Sequence, residues 1–162
     1  AGLVYKVNRV NKVGIPLSAY QDLAIFKIYF LDLGLLRSKA RLAPNAIIHP
    51  TALFSEFKGA LAENYVLQSL ISQFGELPSY WTSNGKAEVD FLIQVQNSIF
   101  PVEVKSGENT RSRSLTVYDE ENRPELKLRF SMKNLIHQDH LLNIPLFLAD
   151  RTRDLVDMML KK

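Results

Sequence analysis

Ala87-Glu88-Val89-Asp90-Phe91-Leu92-Ile93-Gln94-Val95 runs into Gln96-Asn97-Ser98 and then Ile99-Phe100-Pro101-Val102-Glu103-Val104-Lys105. Two runs rich in β-branched and aromatic residues flank a short polar turn, which is the pattern of a β-hairpin. Side chains alternate faces along a strand, so Glu103 and Lys105 leave one face while Val102 and Val104 point the other way, into a core. Asp90 lies on the preceding strand, across the turn from Glu103. The hairpin can therefore set two carboxylates beside each other.

Upstream, Ser79 to Thr82 has strand character and Ser83-Asn84-Gly85-Lys86 is a turn, which makes a three-stranded meander. From Thr51 to Phe74 the apolar residues Leu53, Phe54, Phe57, Leu61, Val66, Leu67, Leu70 and Ile71 have the spacing of an amphipathic helix. Gly59 weakens it by ~1 kcal/mol relative to Ala. Gly75 follows the last periodic residue, where a left-handed cap belongs. Nearer the N-terminus, Leu3 to Val7 reads as a strand, Asn11 to Pro16 as a turn, and Ala24 to Leu36 as a strand leading into a short helix around Asp32–Leu36. Arg41 to Pro50, broken by Pro44 and Pro50, is a linker. After the hairpin, Asn109 to Tyr118 is loop plus helix. Leu126 to Met132 alternates like a half-buried strand, Ile144 to Ala149 is a final apolar strand, and Asp150 to Lys162 a short helix or tail. Helices before and after a mixed sheet give an α/β class. The pattern divides the chain into an N-terminal extension, residues 1–50, and an α/β domain, residues 51–162.

The chain has 162 residues, of which 46% are hydrophobic, 23% charged and 10% aromatic, enough to bury a core. It has no cysteine, which excludes disulfides, thiolate metal sites and cysteine nucleophiles. No apolar run reaches the ~18 to 20 residues of a membrane span, and no secretion signal is visible. No membrane partner and a cytoplasmic location are therefore expected. Twenty Lys and Arg stand against 17 Asp and Glu, a net charge of +3, compatible with nucleic acid but far from polybasic. The chain opens Ala1-Gly2-Leu3-Val4 without Met, as a piece of a longer polypeptide would.

The chemistry-bearing residues are Glu63 on the long helix, Asp90 on one strand, and Glu103 and Lys105 on the next. Two carboxylates held together repel, and one tends to take up a proton. A divalent cation relieves this, because Mg²⁺ takes hard oxygen ligands and is commonly held by one or two carboxylates with water and phosphate oxygens. Asp90 and Glu103 suit such a metal, with Glu63 binding directly or through water. A metal there could activate water against a phosphodiester, with Lys105 orienting the water or stabilising charge on the phosphate. Glu56, seven residues before Glu63 on the same helical face, is a rival. Glu88 shares a strand face with Asp90 and is either an auxiliary group or a solvated rim residue. Trp81 is a strand aromatic, with base stacking as its alternative. Lys105, Arg111 and Arg113, with the neighbouring hydroxyls, suit phosphate contact; the alternative is a solvated loop. His49, His137 and His140 have no ligand spacing.

Helix Glu, strand Asp, then Glu-x-Lys after a short hairpin resembles the PD-(D/E)XK superfamily, the restriction-endonuclease-like fold. Phe26 to Leu36, Gly59 to Val66, Tyr80-Trp81, Ala87 to Ile93, Pro101 to Gly107 and Asn143-Ile144-Pro145-Leu146, in that order, look like the uncharacterised C-terminal domain of prokaryotic AAA-type ATPases. That resemblance implies a mixed central sheet flanked by helices and catalytic Glu63, Asp90, Glu103 and Lys105. It also implies Mg²⁺ as cofactor, with DNA or another nucleic acid and the domain's own N-terminal ATPase domain as partners. ATP would belong to that ATPase domain alone, since no Gly-x-x-x-x-Gly-Lys-[Ser/Thr] loop occurs here. The expected function is nucleic-acid cleavage; the alternative is a non-catalytic regulatory module of the ATPase.

Overall fold

The computed structural model describes residues 2–43, 45, 54–85 and 87–161. The Asp90 hairpin forms as its pattern requires. Strands β4 (Glu88–Val95) and β5 (Ser98–Val104) pair antiparallel, with Val95 opposite Ser98, so Gln96-Asn97 is a two-residue turn. Gln96 there takes a left-handed φ of 55°. β3 (Ser79–Thr82) lies antiparallel on the other side of β4, completing the meander.

The meander is the centre of a wider sheet. β1 (Val4–Val10) lies parallel to β3, and β2 (Gln21–Phe30) pairs antiparallel with β1 at the edge. On the far side, β6 (Lys127–Ser131) lies parallel to β5, and β8 (Leu141–Pro145) lies parallel to β6. β7 (Ile136–Gln138) pairs antiparallel with β8 at the second edge. The sheet is mixed, with eight strands in the order β2-β1-β3-β4-β5-β6-β8-β7. Residues 4–30, assigned from sequence to an extension, supply two of its strands.

Four α-helices among the described residues complete the α/β fold: α1 (Leu33–Lys39), α2 (Ser55–Phe74), α3 (Arg113–Asn122) and α4 (Thr152–Leu160). Helix α2 runs unbroken through Gly59 and ends at Gly75, whose φ of 73° is the left-handed cap that glycine adopts without Cβ strain. Its face Val66, Leu67 and Leu70 packs with Val156 of α4 on Phe91, Val102, Leu128 and Ile144. Leu115 and Tyr118 of α3 pack with Trp81, Val89 and Leu92 in a separate cluster. Alternate residues of β4 supply both cores, Phe91 and Ile93 to the first and Leu92 to the second, so helices cover both faces of the sheet.

The last strand differs from the sequence expectation of Ile144–Ala149. β8 begins at Leu141 and stops at Pro145, and Leu146–Arg151 continues as a 3-10 helix. Pro145 has no N–H to donate, which ends the ladder there. β7 has no sequence signature, since all three of its residues are exposed and none shows burial periodicity. Pro44, His49 and Pro50, with residues 51–53 of the expected helix and Lys86 of the expected turn, lie outside the described residues.

Candidate functional site

The strand register carries the site. Phe91 pairs with Val102 and Leu92 with Pro101, so the next step along the hairpin sets Asp90 beside Glu103. Asp90 Oδ2 accepts the Val104 N–H at 2.7 Å, fixing its carboxylate against β5. Glu103 is 2% exposed, and its Oε1 pairs with Lys105 Nζ at 2.6 Å. Its Oε2 is buried and makes no hydrogen bond among the described residues.

Burial, then the charges of Glu103 and Glu63, push Asp90 up to about 8, against the Val104 N–H and Lys27. Burial also raises Glu103, although Lys105 and then the Ser112 hydroxyl oppose it. In the metal-free protein the two carboxyls therefore retain a proton near neutral pH, as closely placed acids do when solvent cannot separate them.

Helix α2 brings in Glu63. Asn64, 1% exposed, accepts the Phe30 N–H at 2.8 Å and donates to the Phe30 carbonyl at 3.0 Å. This two-way bridge fixes α2 against β2 and leaves the adjacent Glu63 facing Tyr29, whose hydroxyl donates to Glu63 Oε2 at 3.1 Å. The Tyr29 hydroxyl is raised by burial and then by Glu63 and Asp90, so it stays a donor. Lys27, two residues earlier on β2, pairs with Glu88 and stands 4.9 Å from the Tyr80 ring centroid. Burial pulls the Lys27 ammonium down, but Glu88, Asp90 and Glu63 reverse this and hold it above its ordinary value.

Glu63, Asp90, Glu103 and Lys105 thus share one neighbourhood. Among the described residues, however, no three acidic or histidine groups converge at metal-ligand spacing. Glu63 is turned to Tyr29, which leaves Asp90 and Glu103 as the close pair. Glu88 is a rim residue held by Lys27. The side chain of Glu56 lies outside the described residues. Trp81 is 1% exposed and meets Tyr118 edge-on at 5.1 Å, so it cannot stack on a base. Arg111 is exposed on the segment between Lys105 and α3, and Arg113 is exposed at the first position of α3. His137 and His140 are also exposed, with His140 Nε2 2.9 Å from Asp119.

Lys27, Tyr29 and Asn64 are additions that sequence reasoning did not single out. The signals were the Lys27-Ile28-Tyr29 spacing, whose period of two puts both polar groups on one strand face, and the place of all three residues inside the family-like stretches Phe26 to Leu36 and Gly59 to Val66.

The sequence profile of a family described as a domain of unknown function, DUF4143, matches residues 58–147, more than half of the chain. The chain belongs to the DUF4143 family. No curated protein and no solved structure matches it. The DUF4143 match spans Glu63, Asp90, Glu103, Lys105, Arg111 and Arg113, and its description assigns no activity to them. Among the described residues of this DUF4143 chain, no helix is long and apolar enough to cross a membrane.

Proposed function

We propose that the domain is a Mg²⁺-dependent phosphodiesterase of nucleic acid, with a restriction-endonuclease-like core, working as the C-terminal part of a prokaryotic ATPase. One observation carries this: Glu103, buried, stands beside the half-buried Asp90 and Lys105, and its Oε2 makes no hydrogen bond among the described residues. A buried acceptor left unsatisfied costs about 1–3 kcal/mol, a cost that a bound cation would relieve. The donors are hard oxygens of high negative charge density, which fits Mg²⁺ rather than a softer metal.

Asp90 and Glu103 would hold the cation, with Glu63, turned to Tyr29, reaching it through water. When bound, it would polarise the scissile phosphate and lower the pKa of a bound water. Lys105 Nζ, already placed on Glu103 Oε1, is positioned to orient the attacking water and to neutralise charge building on the phosphate oxygens. Asn64 and Tyr29 keep Glu63 at the site, and the Val104 N–H holds Asp90 in place.

The test is calorimetry with Mg²⁺ and Mn²⁺ on wild type and Asp90→Ala, beside cleavage of plasmid and single-stranded DNA. Metal binding lost in Asp90→Ala and nicking lost in Lys105→Ala are expected. No metal binding at millimolar concentration would overturn the catalytic assignment.

A non-catalytic, partner-binding role for the ATPase is favoured by a different observation. Opposite Asn8 and Arg9 the register of β2 slips, leaving Leu23, Ala24 and Ile25 in a bulge. Asp22 Oδ1 accepts the Ala24 N–H, Arg9 pairs with Asp22 at 2.7 Å, and Lys6 donates to the Leu23 carbonyl. The bulge presents Leu23, 67% exposed, at an open sheet edge. Under that role Asp90→Ala would leave partner binding intact and Leu23→Asp would abolish it.

A further inference from the structure

On the α3 side of the sheet, Glu103, Arg129 and Asn143 occupy successive strands in register: Glu103 pairs with Arg129, and Arg129 with Asn143. Arg129 therefore lies one strand spacing, ~4.8 Å, from Glu103. Its guanidinium is held on two sides. Nε donates to Asn143 Oδ1 at 2.8 Å, and Nη1 donates to the Thr110 carbonyl at 3.0 Å. Asn143 is itself locked: it is 1% exposed, its Oδ1 also accepts from Ser131 Oγ at 2.8 Å, and its Nδ2 donates to the Asn134 carbonyl at 2.8 Å. Ser131 is fully buried.

One interior side chain, Asn143, itself braced by Ser131, and one backbone carbonyl thus hold the arginine. A guanidinium has five N–H donors; two are used here, which leaves three without a protein partner among the described residues. They border a cavity of about 490 Å³ also lined by Arg111, Arg113, Ser112 and Thr116. Among the described residues none of the three arginines is paired with a carboxylate, whereas Lys127 in the same cavity is neutralised by Asp119. Uncompensated guanidinium forks beside hydroxyls match the planar, bidentate chemistry of phosphate oxygens.

We infer that Arg129, with Arg111 and Arg113, forms a phosphate subsite that grips the nucleic-acid backbone beside the Asp90–Glu103 centre. It rests on the phosphodiesterase assignment and adds a fixed anchor to it. Arg129, held by Asn143 and Thr110, sets register, while the exposed Arg111 and Arg113 supply the outer phosphate contacts. Arg129 also ties the segment carrying Arg111 to β6 through Thr110, so the anchor and the loop that completes it are joined.

The experiment is fluorescence anisotropy of a labelled single-stranded oligonucleotide in EDTA, titrated across salt, with cleavage in Mg²⁺ measured separately. Arg129→Gln is expected to weaken binding about tenfold and to lower the slope of log K against log salt by ~0.7, one phosphate contact on a single strand. Arg111→Gln, an exposed change, should lower the slope similarly without shifting Tm, and Arg129→Lys should fall between Arg129→Gln and wild type. Affinity and slope unchanged in Arg129→Gln, with only Tm lowered, would make Arg129 a structural staple and overturn the inference. Absence of oligonucleotide binding by wild type at low salt would overturn it too. Arg129-dependent binding without cleavage refutes the phosphodiesterase assignment and leaves the subsite standing. Cleavage with Arg129-insensitive binding does the reverse.

Discussion

Replacing Asp90 by Asn should make the metal-free protein more stable at alkaline pH, and the structure sets the size of the effect. Asp90 is raised from 3.8 to about 8 by burial and by the charges of Glu103 and Glu63. In the unfolded chain the same carboxyl has ionised by about pH 5, so between there and its folded value the native state binds a proton that the unfolded state does not. A raised value gives stability that is complete below the unfolded value and is lost as pH rises through the folded one. The slope is up to ~1.4 kcal/mol per pH unit for one proton, so wild type should lose on the order of 2 to 3 kcal/mol between about pH 6 and pH 8. At ~2–4 °C per kcal/mol for a domain of this size, Tm should fall by roughly 5 to 10 °C. Asn mimics the protonated acid in shape and keeps an acceptor for the Val104 N–H, so Asp90→Asn should remove most of that slope. Scanning calorimetry in EDTA across this range is the assay, and millimolar Mg²⁺ added to wild type should also flatten the curve, since the cation competes with the proton. Parallel pH profiles for wild type and Asp90→Asn would refute the claim that Asp90 shares a buried, proton-retaining site with Glu103.

Three further changes test the scaffold and the chemistry. Asn64→Leu removes both bonds to the Phe30 backbone and leaves those groups unpaired, so it should cost about 2–4 kcal/mol in urea unfolding and weaken Mg²⁺ binding by displacing Glu63. Lys105→Met should keep metal affinity by calorimetry while lowering plasmid nicking about a hundredfold or more, the scale for losing one transition-state donor; equal losses in both would mean that Lys105 serves only to hold Glu103. Trp81→Ala empties the centre of the second core beside Tyr118 and should cost about 3–5 kcal/mol. Nucleic-acid affinity per folded molecule should not change, because a residue 1% exposed cannot reach a base.

The hairpin was legible because its pattern is local. Two β-rich runs around Gln96-Asn97 fix a register, and the register alone puts Asp90 beside Glu103. Helix α2 was legible for the same reason, down to the Gly75 cap. What could not be read depends on pairing between distant segments. Tyr29 meets Glu63 only because β2 crosses to the edge of the sheet, 34 residues away in sequence, and Asn64 bridges the gap. Likewise Arg129 and Asn143 become neighbours only through the parallel pairing of β6 with β8, which no alternation of apolar residues encodes. Leu126 to Met132 showed which residues of β6 face away from the core, but not what they face. The extent of the final strand was misread because its apolar run continues past Pro145, where hydrophobicity persists and the missing donor stops the ladder.

A domain selected for stability alone has no use for the Asp90–Glu103 arrangement. The pair resists ionisation, Glu103 Oε2 makes no hydrogen bond among the described residues, and Lys105 neutralises only one of the two carboxylates. Replacing such a pair by apolar residues of similar volume is often neutral or stabilising. The surroundings point the same way. Tyr29 and Lys27 face the acids from one side, the Val104 N–H fixes Asp90, and Asn64 is committed wholly to keeping α2, and with it Glu63, in place. A surface meant only for a protein partner would need none of this, and the β2 bulge shows what such a surface looks like here: apolar, exposed and at a free edge. The two features lie in different parts of the fold and make separate demands on it. Loss of metal binding in Asp90→Asn with partner binding preserved, and the opposite in Leu23→Asp, would mean that the domain does both.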